Sequence, residues 1–142
     1  RKLCDIGYGL YAHKDYLKQH GKIGPDGDLS GHQIIGFSEN DRPLGPIWWL
    51  SRGERAGTVI MRSSSPLTRI GAVRAGVGVT ALPCHYAQNF DDIELIAGPE
   101  LLGTLELWLL TRSDLARLAH VRAVMDFLIA EVRDKSQLLA AV

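Results

Sequence analysis

Arg62-Ser-Ser-Ser-Pro-Leu-Thr-Arg-Ile-Gly-Ala-Val-Arg-Ala-Gly-Val-Gly-Val-Thr-Ala-Leu-Pro83 reads as a strand end, a serine-lined helix start, a helix of small residues, and a glycine turn into a buried strand. The apolar, β-branched run Thr58-Val-Ile-Met61 ahead of it predicts an inner strand. Ser65 stands at the N-cap and Pro66 at the first helical position, where a missing N–H costs nothing. Leu67, Ile70 and Val73 recur about once per turn with Gly71, Ala72 and Ala75 between them, so this helix is expected to pack closely on a sheet while Arg69 and Arg74 face solvent. Gly76 supplies the C′ position, and Val77, Val79, Ala81 and Leu82 form a strand that Pro83 stops. The first four N–H groups of a helix have no partner within it, and the hydroxyls of Ser63, Ser64 and Ser65 converge on them. Such a layout suits a carboxylate or another small anion. The same Ser-Pro start also serves simply as a cap, worth about 1 kcal/mol to the fold.

Composition narrows the classes. A chain of 142 residues, 46% hydrophobic and 23% charged, has the size and balance of one globular domain with a real core. Sixteen basic residues balance sixteen acidic ones and form no long Lys/Arg cluster, which argues against a nucleic-acid footprint on this chain. No apolar run approaches the roughly 20 residues that span a bilayer, and no basic-then-apolar signal opens the chain, so a cytoplasmic location is expected. Cys4 and Cys84, far apart and without close cysteine neighbours, are expected to be ordinary reduced thiols rather than a disulfide or zinc pair.

Strands and helices alternate through short connections, which predicts an α/β architecture with helices on the sheet faces. Ile6, Tyr8 and Leu10 alternate with Gly7, Gly9 and Tyr11 in a first strand, and Lys14 to His20 makes a short helix that Gly21 stops. Turn formers in Lys22 to Asp28 precede a strand over Gln33 to Ser38, and a loop over Asn40 to Pro46 leads to Ile47-Trp-Trp-Leu50, whose paired tryptophans suit core packing or a subunit contact. Cys84 to Gln88 suits one helical turn and Ile93 to Ile96 a short strand. Leu105, Leu107 and Leu109 alternate with Glu106, Trp108 and Leu110 in a strand apolar on nearly both faces, expected to be central. Leu118, Val121, Met125, Leu128, Ile129 and Val132 fall on one stripe, predicting a long helix over Leu115 to Asp134 with Ser113 or Asp114 as its cap.

Four segments in order carry a family resemblance: Leu10-Tyr-Ala-His-Lys-Asp-Tyr-Leu-Lys-Gln-His-Gly21, Asp28-Leu-Ser-Gly-His32, Ala72-Val-Arg-Ala-Gly-Val-Gly-Val-Thr-Ala-Leu-Pro83, and Leu107 through Leu128. Together they resemble the effector-binding domain of LysR-type transcriptional regulators over residues 5 to 134. The resemblance implies a type II periplasmic-binding-protein-like fold, with two α/β lobes joined by crossing strands and a small-molecule inducer between them. It also implies a cytoplasmic homo-oligomer that touches DNA only through an N-terminal domain outside this chain. On that reading the chain is the back part of the domain: residues 11–104 form the second lobe, and 1–10 with 105–142 form the crossing strands and a remnant of the first.

Carried over position by position, the second-lobe side of the inducer pocket falls on Ser63, Ser64, Ser65 and Pro66, with Val79 and Thr80 as its floor. Relatives often carry Asn or Asp where Ser64 or Ser65 stands, so the inducer need not match theirs. His13 lies near the hinge and suits a cap as well as a ligand contact; Phe37 and Ser38 could border the cleft, with Phe37 also suited to the core. No cofactor, metal site or catalytic set is expected. Gly76-Val-Gly78 follows a helix instead of preceding one, the wrong order for a dinucleotide fingerprint. Cys84 and His85 are adjacent with no third residue to orient the imidazole, and the five histidines lack metal-ligand spacing. A stand-alone solute-binding module of the same architecture is the alternative reading.

The charge balance yields a direct expectation. Phosphate recognition needs clustered Lys and Arg and weakens steeply with salt, so this chain alone should not bind DNA selectively. Gel-shift titration over a salt series checks this; sequence-selective retardation at physiological salt would contradict it.

Overall fold

The computed structural model describes residues 1–24, 26–41 and 45–140. Pro25, Arg42, Pro43 and Leu44, which belong to the two predicted loops, and the final Ala141 and Val142 lie outside the described residues.

One strand organises the chain. β1 (Lys2–His13) pairs antiparallel with three others: β6 (Thr104–Trp108) along its first half, and β4 (Thr80–Pro83) and β5 (Ile93–Ala97) on either side of its second half. A register shift between Leu10 and Tyr11 re-aims the β5 ladder. β2 (Gln33–Gly36) and β3 (Thr58–Arg62) form a parallel pair. Val79 joins this pair to β4, since its amide donates to Gln33 O at 2.9 Å and its carbonyl accepts from Ile35 N at 2.9 Å.

The period-2 geometry of these strands sends alternate side chains into two cores. Leu10, Ala12, Ile34 and Ala81 enter one, with Tyr16 and Leu17 of α1 (Lys14–His20) and Leu50 of α2 (Pro46–Gly53). Tyr11, Ile35 and Leu82 enter the other, with Ile70 and Val73 of α3 (Pro66–Arg74) and Cys84 and Ala87 of α4 (Cys84–Ala87). This is the expected α/β/α layering, and each buried Leu or Ile contributes roughly 1.5–3 kcal/mol to it. Further along, α5 (Pro99–Leu102) seats Leu102 in the first core.

Several expectations require correction. Arg69 is 1% exposed and Leu67 67% exposed, the reverse of the solvent-facing assignment. β6 pairs with β1 alone among the described residues and alternates between exposed and half-buried positions, so it is not central there. β3, likewise, pairs only with β2. The strand expected from Val77 begins at Thr80, since Val77 and Val79 lie in the turn and bridge that lead into it. Trp48 and Trp49 belong to helix α2, Trp49 packing against the first core and Trp48 lying open with Arg52 over its ring. The long C-terminal helix divides into a 3-10 turn (Leu115–Arg117), α6 (Ala119–Asp134) and α7 (Ser136–Ala140). Neither Ser113 nor Asp114 caps α6, because Asp114 is held by Arg112 at 2.7 Å and the 3-10 turn moves the helix start to Ala119. Along its stripe Val121, Met125, Ile129 and Val132 are half-buried, while Leu118 and Leu128 stay exposed.

A buried polar relay ties α1 to β2. The Gln33 amide donates to the Tyr16 hydroxyl at 2.9 Å, and that hydroxyl is hydrogen-bonded to His32 Nδ1 at 3.3 Å. Burial, reinforced by nearby His20, holds His32 below the usual imidazole range, against a smaller opposing pull from Asp28. The unfolded chain therefore takes up the proton first, and stability falls as pH drops through the ordinary imidazole range toward the lower folded-state value. Urea denaturation at pH 7.5 and 5.5 should show this loss, reduced in His32→Asn; an unchanged pH dependence in the variant would contradict the relay. Tyr16→Phe strands the Gln33 amide and should cost about 1–3 kcal/mol, read as a shift in denaturation midpoint.

Candidate functional site

The predicted serine turn lies where β2 and β3 end side by side and α3 begins. Ser63 extends the ladder, its amide donating to Gly36 O at 3.0 Å. Ser63 Oγ accepts from the Ser65 amide at 3.1 Å, and Ser65 Oγ accepts from the Thr68 amide at 3.4 Å. Ser65 is thus the N-cap and Pro66 the first helical residue. The cap reading is correct as far as it goes, but a hydroxyl that accepts from an amide keeps its own hydrogen to donate. The amides of Ser64 and Leu67 have no protein partner among the described residues, and Ser64, Ser65 and Pro66 are exposed.

Beneath the turn sits Arg69. Its Nη1 donates to Ser63 O at 2.7 Å, and its guanidinium stacks 4.0 Å from the centre of the Phe37 ring. Its Nε is buried without any hydrogen-bond partner. Burial depresses its pKa, partly offset by Tyr8 and by Asp41. Tyr8, half-buried on β1, has its phenol pKa raised by burial and lowered slightly by Arg69. Phe37 is buried in the first core, as expected, and its ring stacks beneath the Arg69 guanidinium at the turn. Ser38 turns the chain away, its amide donating to Asp41 Oδ2 at 3.0 Å.

Val79 and Thr80 are fully buried on the strand entry beside β2, and the Thr80 hydroxyl donates to Ile35 O at 2.5 Å. They support the sheet below the turn, with the one Thr80 O–H already committed. His13 is elsewhere. It caps α1 through Nδ1, which accepts from the Asp15 amide at 3.1 Å, and it lines a cleft of about 230 Å³ with Arg74 and Gly76. Those residues close α3, whose nine residues span roughly 13 Å at 1.5 Å each, so His13 is not gathered with the serines.

Arg69 and Tyr8 are the residues that sequence reasoning missed. Arg69 stands four residues before buried Val73, which is inner-face spacing. That signal was present. Tyr8 gave none, because only the β1 and β4 pairing of Tyr8 with Pro83 brings it near.

A larger cavity of about 340 Å³ lies on the α4 face, lined by Tyr11, Lys14, Cys84, Phe90 and Leu95 among others. Among the described residues no group of three or more His, Cys, Asp or Glu could hold a metal ion, and no helix is long and apolar enough to cross a membrane.

The family model described as the LysR substrate binding domain matches residues 1–133. The probable HTH-type transcriptional regulator LtrA of Klebsiella pneumoniae is 28% identical over 138 aligned positions, covering 90% of this chain and 44% of that protein. The chain thus spans less than half the length of the curated relative it matches. Among solved structures, the regulatory domain of CrgA, a LysR-type transcriptional regulator from Neisseria meningitidis, superposes with a TM-score of 0.69 at 22% identity, over 92% of this chain and 67% of that one. A second CrgA structure gives 0.72 at 23% identity, over 93% and 47%. With its β1-centred sheet, its two helical layers and its serine-capped α3, the chain belongs to the LysR substrate-binding domain family and has the type II periplasmic-binding-protein-like fold of LysR regulatory domains.

Proposed function

We propose that this chain is the effector-sensing part of a cytoplasmic LysR-type transcriptional regulator, and that a small metabolite is read where α3 opens. The observation that carries the site is the set of donors at one turn that have no acceptor among the described residues: the amides of the exposed residues Ser64 and Leu67 and the hydroxyls of Ser63, Ser64 and Ser65. In this reading residues 11–104 act as one lobe, Pro66 shapes the turn, and Val79 and Thr80 hold it up from below. DNA contact belongs to an N-terminal domain of the whole regulator. An effector that favours one arrangement of the lobes over another changes what that domain feels.

A helix N-terminus favours an anion by about 0.3–1 kcal/mol when exposed, and a hydrogen bond to a charged group adds roughly 1.5–3 kcal/mol. Binding to this chain should therefore be weak, on the order of millimolar, about −4 kcal/mol. NMR titration with a panel of small acids and neutral metabolites should move amide resonances from Ser63 to Leu67, and Ser64→Ala or Ser65→Ala should weaken that response. Shifts that cluster elsewhere, or persist unchanged in both variants, would reduce the serines to caps.

Assembly as a homo-oligomer is part of the same proposal. Val124 and Phe127 on α6, 60% and 62% exposed, stand with Leu138, Trp108 and Leu110 as large apolar side chains left open to water. Val124 and Phe127, three residues apart, share one face of α6, and an exposed apolar helix face of this kind marks a contact site. Light scattering across a wide concentration range should show self-association, weakened in Phe127→Glu; a strictly monomeric mass at high concentration would contradict it.

A further inference from the structure

Arg69 is a buried charge without an ion-pair partner among the described residues. Its guanidinium has five N–H donors, and among the described residues only Nη1 finds an acceptor, the Ser63 carbonyl. Nε is fully buried and unpartnered, and no carboxylate lies within ion-pairing distance among the described residues. The Phe37 ring beneath it offers a quadrupole, a weak substitute for a counter-ion. Buried charges are ordinarily paired, and each unsatisfied one calls for an explanation. The guanidinium is, moreover, bonded to the residue that begins the turn at the α3 N-terminus, where unpartnered amides and the helix dipole add positive potential of their own. Two positive features of independent origin, one from a side chain and one from the backbone, thus meet at one place.

We infer that Arg69 is the built-in counter-charge for an anionic effector, a carboxylate or another small oxyanion, at the opening of α3. This rests on the proposed site and adds the ligand's charge and the residue that selects it. Without the anion, the Ser63 carbonyl and the Phe37 ring hold the guanidinium in place. With it, the ligand completes a charge pair that the described residues do not supply.

The test uses the chain with sodium acetate and its neutral isostere acetamide, in a fixed sodium chloride background, read by NMR. Acetate should shift the Arg69 Nε–Hε resonance along with the amides of Ser63 to Leu67, and should bind at least tenfold tighter than acetamide. Arg69→Lys, which keeps the charge, should retain the preference for acetate, and Arg69→Met should lose it. The Nε–Hε readout on the unaltered chain decides the matter even where a variant fails to fold. Equal binding of acetate and acetamide at Ser63 to Leu67, or an acetate preference that survives in Arg69→Met, would overturn the inference while leaving the site itself standing. Absence of any shift at Ser63 to Leu67 with either probe would overturn the site, and this inference with it.

Discussion

The pairing of β1 with three partners is the constraint on which the remaining structure depends. Twelve residues carry ladders to β4, β5 and β6, and their alternation commits Leu10 and Ala12 to one core and Tyr11 to the other. A single register therefore sets both helical layers, because slipping it by one residue would exchange the faces. The glycines alternating with these residues are part of the same constraint. At Gly9 a Cβ would strike the Leu95 side chain and come within 2.9 Å of the Tyr11 ring, and at Gly7 it would meet Pro99 and the Ala140 carbonyl, both at 2.8 Å. Absent side chains let β5, α5 and α7 close over the strand.

From that strand the site follows in two steps. β4 is held by β1, and Val79 just before it clamps β2, whose parallel partner β3 delivers Ser63 to Ser65 at the sheet's C-terminal edge. Ligands of open α/β sheets bind outside the carboxyl ends of the strands, and here that edge carries a helix N-terminus with a buried guanidinium behind it. Tyr8 on β1 and Phe37 after β2 converge on the same guanidinium, so the residues that fix the sheet also shape its electrostatics.

Helix caps and stops are legible in the sequence because their causes are local. Gly21 ends α1 at a φ of 90°, and Gly76 follows α3 at a φ of 71°, where a side chain would strain the backbone. The Ser65 cap and Pro66 likewise needed no tertiary knowledge. Failures came where the deciding partner is distant. Apolar composition marked residues 105–110 as suited to burial, yet could not say which strands lie beside them. Residue type points Arg69 to solvent while its spacing from Val73 points it inward, and the approach of Phe37 and the Ser63 carbonyl makes its burial tolerable. The start of α6 differs for a local reason instead: Arg112, two residues away, holds the Asp114 carboxylate, and the 3-10 turn over Leu115–Arg117 moves the helix start to Ala119.

Native-state hydrogen exchange resolved by residue tests the central role of β1 most directly. Amides that open only with the whole protein exchange at the global unfolding free energy, and peripheral ones exchange by local opening. Leu10, Tyr11 and Ala12 should exchange at the free energy obtained from denaturant unfolding, while amides of β3 and β6 exchange through smaller openings. Exchange of Leu10 to Ala12 through local opening, with β2 and β3 remaining protected, would show that the sheet is organised around another strand.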